Sequence, residues 1–343
     1  MSGFFYGRWY LGFYIYTFVY MKILLQKIDP FIGGLVLMLI LAWLFPFQEA
    51  TSNFPLSAVI YWGISGIFLL YGLKLDLRKV VKDISNWRLH LLIQLTTFLL
   101  FPLLLLLFYP FFKGGTFEDL WLATFFLAAL PSTVSSSVVM VTIAKGNVPS
   151  AIFNASISGL IGLIVTPLWM GLFLNQNSGG ETSGLAQQLI LQILIPVIIG
   201  IILNPWLRKY AYEQRNTIAW FDKLVIFLII YKSFSAAFIS DVFNEIVSTT
   251  IISLTLLLIT LFFIVFFIVK WLSTKLRFNN EDTITAIICG SKKSLVHGSV
   301  FVILLFPETT KQSLILLPIM IYHAFQLFYM SYQSIRWGKK VSE

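Results

Sequence analysis

Two adjacent lysines, Lys292 and Lys293, interrupt a stretch that otherwise reads as membrane-spanning sequence, Ile287 to Val302, IICGSKKSLVHGSVFV. A lysine near the middle of a bilayer span costs about 2.5–3.5 kcal/mol on insertion scales, so its first reading is functional. An ammonium held there can bind an anionic group. It can also exchange a proton, because burial disfavours the charged form of lysine. The bland alternative is a lysine that snorkels to the interface. Gly290, Ser291 and Ser294 surround the pair and break the apolar run.

A second interruption has the same character. Between the apolar runs Leu120–Leu130 and Val138–Ala144 lies PSTVSSS, Pro131 to Ser137. Pro131 removes a backbone donor and crowds the preceding turn. The hydroxyls of Ser132, Thr133, Ser135, Ser136 and Ser137 can bond the backbone groups that a break would free. Alone, the stretch reads equally as a proline-kinked helix with packing serines. Two interrupted segments in corresponding places of two halves favour broken helices around a buried ligand, as in secondary transporters. Further candidates are Asn154 and Ser158, on the segment after the first interruption. His297 and His323 could relay protons, although lone histidines in helix bundles more often serve packing.

These residues need a membrane scaffold to position them, and the composition supplies one. The 343 residues are 58% hydrophobic and only 11% charged, with mean hydropathy +0.86. Soluble domains carry about 25% charged residues, so the chain reads as an integral membrane protein. The single cysteine excludes an internal disulfide. The net charge of +9 points to cytoplasmic loops rather than nucleic acid. There is no Gly-rich phosphate loop or zinc motif, and three scattered histidines argue against an intramembrane enzyme.

Length and apolarity place ten spans at about 30–47, 56–73, 89–109, 120–144, 150–174, 185–204, 221–239, 246–270, 283–306 and 313–333. Loop charges support the count. Of the 24 lysines and arginines, 18 fall on the side of the termini and two, Lys113 and Lys311, on the other. The remaining four lie in or at the edges of spans. That alternation predicts a multi-pass protein of the plasma (inner) membrane with both termini cytoplasmic. Residues 1–29 form an N-terminal cytoplasmic or interfacial segment. Met1–Met21 reads either as interfacial or as sequence upstream of a true start at Met21, the latter preferred because MKILLQKIDPF is an ordinary lead-in to the first span.

Ten spans divide as five and five, residues 30–174 and 185–333, with a linker at 175–184 and a cytoplasmic tail at 334–343. An odd number per half inverts the second half, and the interrupted segments are the fourth span of each. The expected fold class is an all-α membrane protein, a 5+5 inverted repeat with broken, crossing fourth and ninth spans.

Several stretches resemble the bile acid:sodium symporter family, in its divergent branch that contains the seventh vertebrate member and bacterial relatives. They are LPSTVSSSVVMVTIAKGN (Leu130–Asn147), AIFNASISGLIGLIVTPL (Ala151–Leu168), GSKKSLVHG (Gly290–Gly298), YGLKLDLRKV (Tyr71–Val80) and NWRLHLLIQ (Asn86–Gln94). The resemblance covers about Met21 to Gln333. It implies a four-helix panel, a six-helix core, and secondary transport of an organic, anionic solute at the crossing. The expected substrate- or ion-binding residues, read from the two interruptions and the segment after the first, are Ser132, Thr133, Ser135, Ser136, Ser137, Asn154, Ser158, Ser291, Lys292, Lys293 and Ser294. Lys292, Lys293, His297 and His323 are candidates for proton coupling.

Sodium as coupling ion also comes with the resemblance, but the pattern departs from it. Better-known members read roughly Glu-Val-Gly-x-Gln-Asn-Ser in the ninth span; here Ile288 stands at the carboxylate position and Lys292 at the amide. Ser136-Ser137 stand for the Ser-Asn pair of the fourth span. Lysine offers donors only, which puts a sodium site of the usual kind in doubt and suggests an ammonium in its place. No other cofactor and no metal site is expected. The partners expected are a small organic anion and the lipid bilayer. The alternative function is a channel or a regulatory membrane subunit.

Overall fold

The computed structural model describes residues 30–49, 51–74, 86–174, 190–240, 248–306 and 309–340. Expectations for the N-terminal segment 1–29, the basic loop at 75–85, the linker 175–184 and the last three residues of the tail lie outside the described residues. Among the described residues there is no strand. Also among the described residues, seven segments are long and apolar enough to cross a membrane: Leu56–Lys74, Trp87–Leu106, Val148–Leu174, Leu191–Glu213, Ser248–Lys275, Asn280–Leu305 and Lys311–Lys340.

In chain order the helices are α1 (Pro30–Leu44) and α2 (Leu56–Lys74). Then come α3 (Trp87–Leu106), which contains a π-helical turn at Thr96–Leu100, α4 (Glu118–Ala129) and α5 (Ser135–Ile143). They are followed by α6 (Val148–Leu174), α7 (Ile195–Glu213, entered through a π turn at Ile190–Leu194), α8 (Arg215–Ile239) and α9 (Ser248–Lys275). The last are α10 (Asn280–Gly290), α11 (Leu295–Leu305) and α12 (Thr309–Lys340). The first helix stops at Leu44, short of the expected 47, because Phe45 precedes Pro46 and pre-proline residues leave the helical region. The last runs on to Lys340, through residues expected to belong to the tail, since Tyr332 to Lys340 contains no proline to stop it.

Two packed groups follow from the helix contacts. One is α1, α2, α7 and α8: α2 lies along α7, and α1 along α8. The α2–α7 pair is close because Gly72 and Gly200 face each other. A Cβ on either would come within 3.0 Å of the other's Cα. Membrane helices use such small residues to approach, because lipid offers no hydrophobic reason to associate. The other group contains α3–α6 and α9–α12, with α12 against α4 and α11, and α10 against α3, α5, α6 and α9. α8 joins the groups by packing on α11 and α12.

Burial locates the centre of the second group. The window within Asn280–Leu305 is 89% buried, whereas that of Leu191–Glu213 is 22% buried. The outer helices show large apolar and aromatic side chains instead, among them Trp62, Trp206, Tyr210 and Trp220. In a water-soluble protein that surface would aggregate; facing acyl chains and headgroups it is stable.

Candidate functional site

Between α4 and α5 the chain is extended at Leu130 (φ −71°, ψ 151°) before helix resumes at Ser135. Between α10 and α11 it leaves the helix at Gly290 and re-enters at Leu295. Pro131 and the hydroxyl run cause the first gap. In the second, Ser294 caps α11, its Oγ accepting from His297 N at 3.3 Å and meeting His297 Nδ1 at 2.9 Å.

The two gaps touch. Ser294 N donates to Pro131 O (2.9 Å), and Ser132 Oγ donates to Cys289 O (2.6 Å). A broken helix in a membrane strands carbonyls that water cannot reach. Four consecutive ones at the end of α4 are satisfied by three donors. Ala128 O (2.5 Å) and Leu130 O (2.8 Å) accept from Lys293 Nζ. Ala129 O accepts from Thr166 Oγ1 on α6 (2.8 Å), and Pro131 O from Ser294 N. Ser132 N finds Ser158 Oγ at 3.0 Å. On the other gap, Ile287 O accepts from Ser291 Oγ (2.6 Å) and Ser291 O from Tyr322 OH (2.7 Å). Gln326 clasps the backbone of Lys293, donating from Nε2 to its carbonyl (2.7 Å) and accepting its N–H at Oε1 (2.8 Å).

The two ammonium groups have different surroundings, although both side chains are fully buried. Lys293 Nζ donates to three carbonyls, Thr97 O (2.7 Å), Ala128 O and Leu130 O, and lies 4.2 Å from the centre of the Phe101 ring. Two of those carbonyls are at the C-terminus of α4, the negative end of its dipole. Thr97 lies in the π turn of α3, which interrupts the regular i→i−4 ladder. Lys292 Nζ donates to Ser136 Oγ (2.7 Å) and Met140 Sδ (3.3 Å), both on α5.

The other expected site residues distribute as follows. Thr133, Ser136 and Ser137 share hydroxyl bonds at the start of α5, Thr133 Oγ1 with Ser137 Oγ at 2.7 Å and Ser136 Oγ to Thr133 Oγ1 at 3.1 Å. Ser135 is exposed. Asn154 bonds away from the gaps: its Nδ2 reaches Ser150 O and His90 Nδ1 (both 2.8 Å), and its Oδ1 accepts from Gln94 Nε2 (3.0 Å). Ser150 Oγ and Gln94 Oε1 beside it have no protein partner. His323 bonds Gln326 (2.9 Å) and packs edge-on to Phe31. Lys232 bonds Ser57 Oγ and lies 3.4 Å from Glu49 Oε2, far in sequence from either gap. A depression of about 450 Å³ lined by Trp87, Arg88, Arg277 and Asp282 opens where α3 and α10 begin, away from the lysines.

Three contacts of the junction escaped sequence reading: those of Thr97 O, Thr166 and the Phe101 ring. A backbone carbonyl leaves no trace in sequence, and Thr166 sits in an ordinary apolar run. Tyr322 and Gln326 did carry a signal, since a spacing of four puts both on one face of α12.

A site for a resident sodium ion can be tested on the donor set. Three of the carbonyl oxygens at the junction that would suit a hard cation, Thr97 O, Ala128 O and Leu130 O, are taken by Lys293. Ile288, the position a carboxylate would hold, is buried and apolar. These residues do not fit sodium at this point.

The chain matches the model of the SBF-like CPA transporter family over residues 29–339. It is 32% identical to "Uncharacterized protein PA2026" of Pseudomonas aeruginosa, over 91% of this chain and 93% of that protein. It is 30% identical to "Putative symporter YfeH" of Escherichia coli K12, over 93% and 96%. It is 28% identical to "Sodium/bile acid cotransporter 7-B" of Xenopus laevis, over 87% and 88%.

Proposed function

The chain belongs to the SBF-like CPA transporter family, and from that premise we propose that it is a secondary active transporter of a small organic anion that works without bound sodium. In this reading the protein has ten spans as a 5+5 inverted repeat, in the plasma (inner) membrane with cytoplasmic termini. α4–α5 is the fourth span and α10–α11 the ninth. The group α1, α2, α7 and α8 is the panel, and the remaining helices are the core.

One observation carries the sodium-free reading: the Lys293 ammonium is held by three carbonyls where the two gaps meet. Converging helix C-termini and stranded carbonyls make that point electronegative, and a cation stabilises it. A covalently fixed ammonium is always there. The core can therefore be assembled before any ion arrives.

Both lysines are shut off from solvent in this structure, so transport requires panel and core to part. Two hydrogen bonds between the groups would break and re-form. Tyr71 OH on α2 donates to Ser156 O on α6 (2.7 Å), and Ser233 Oγ on α8 donates to Gln312 Oε1 on α12 (3.1 Å). Uptake of labelled organic anions into proteoliposomes, with sodium or choline as the only external cation, tests the reading. Equal uptake in both media is expected. Uptake that collapses in choline would overturn the sodium-free part. Absence of uptake for every anion, or single-channel currents, would overturn the transporter itself.

A further inference from the structure

Lys292 and Lys293 are neighbours in sequence, yet their ammonium groups sit in opposite electrostatic settings. Lys293 has an acceptor for each of its three N–H groups and an aromatic face besides. Nothing is left over to bind a ligand. Lys292 has one hydroxyl and one thioether. Thioether sulfur is a weak acceptor, and no acidic side chain pairs with this amine among the described residues. A fully buried ammonium so poorly compensated is expensive in a low-dielectric interior.

Its position makes matters worse. Ser136, its oxygen partner, is in the first turn of α5. That is the positive end of the helix dipole, with backbone N–H groups that lack helical acceptors. An ammonium placed there is repelled, whereas Lys293 at the end of α4 is attracted. A buried cation beside a helix N-terminus is what an oxyanion site requires: a point charge together with directed N–H donors. The same end of α5 also offers entry, because Ser135 is exposed and Ser136 half-buried.

We propose that Lys292 and the first turn of α5 bind the oxyanion group of the transported solute, while Lys293 is a structural cation that takes no part in binding. This rests on the transporter reading above. The binding group would be a carboxylate, sulfonate or phosphonate. It displaces Met140 Sδ from the ammonium and accepts from Lys292 and the N–H groups of the first turn. Binding is by charge and hydrogen bonds alone, and no covalent bond forms. The solute's charge pairs with an ammonium whose protein partners are one hydroxyl and one thioether, so binding also stabilises the protein.

The experiment is thermal unfolding of the full chain in detergent. Butyrate, butanesulfonate and butylphosphonate are the probes, butylammonium the control, applied to wild type, Lys292→Gln, Lys292→Arg and Lys293→Gln. At least one anion should raise the wild-type midpoint, and butylammonium should not. Lys292→Gln should lose that shift, Lys292→Arg should keep part of it, and the ligand-free midpoint of Lys292→Gln should equal or exceed wild type. Lys293→Gln should melt lower but keep the shift. A shift retained in Lys292→Gln, or no anion shift in wild type, overturns the assignment. Proteoliposome uptake separates the two levels. If wild type takes up anions while Lys292→Gln binds them normally, only the Lys292 assignment fails. If wild type takes up none, the transporter reading fails.

Discussion

Replacing Lys293 by methionine removes the ammonium and keeps nearly the same volume. Three buried carbonyls, those of Thr97, Ala128 and Leu130, then lose their donor. An unsatisfied buried polar group costs about 1–3 kcal/mol, so the loss is roughly 6 kcal/mol in all. Against it stands the desolvation of the ammonium, several kcal/mol that the variant no longer incurs; about 3 kcal/mol is a moderate figure. The net loss is on the order of 3 kcal/mol. With an unfolding entropy of about 2.1 cal/mol/K per residue, a chain of 343 residues shifts by about 1.4 °C per kcal/mol, so the midpoint falls by roughly 4 °C. Lys293→Gln, which keeps two donors on a shorter stem, should lie between. The measurement is thermal unfolding of purified protein in one detergent, followed by tryptophan fluorescence. Lys292→Met serves as the matched control and should not fall. If Lys293→Met melts with wild type, the three carbonyls are satisfied in some other way and the structural-cation reasoning is wrong.

Tyr71→Phe removes the hydroxyl bond from α2 to Ser156, a loss of about 1 kcal/mol, or roughly a fivefold shift towards the parted state. The native Cys289, buried behind the junction, reports it, and its maleimide labelling should speed up; an unchanged rate would show that this contact does not hold panel to core. At Glu49 the hydrogen bond from Ser57, aided by Lys232, holds the carboxyl below its usual 4.5. A depressed carboxyl stabilises the fold above its unfolded pKa and loses that contribution as pH falls through the folded value. Glu49→Gln should therefore be slightly less stable than wild type at pH 7 and indistinguishable from it near pH 3, as thermal midpoints across pH will show; a gap that persists in acid would point to packing instead. A reporter fused at Asn177 should be exported, whereas one at the C-terminus should stay cytoplasmic, and a cytoplasmic signal at Asn177 would break the ten-span count.

Much was legible in the residues themselves. The apolar runs declared a helical membrane protein because a span must satisfy its own backbone and match the bilayer, and both demands are local. Pro131 with its hydroxyls, and Gly290 to Ser294, marked where helix would fail, since backbone donors and turn formers act within a few residues. The lysines announced themselves by cost alone. What each lysine does was not legible. Lys292 and Lys293 lie in the non-helical gap between α10 and α11, where no helical period fixes their directions, and only the packing of α10 against α3 and α5 sends Lys293 to three carbonyls and Lys292 to a serine and a thioether. Asn154 looked like a residue of the junction and instead joins His90 and Gln94, because α6 turns that face to α3. Carbonyl acceptors are identical in every residue, so sequence cannot tell which of them a fold will leave stranded. That choice belongs to tertiary structure, which decides where helix ends meet and therefore where a fixed charge is stabilised or exposed.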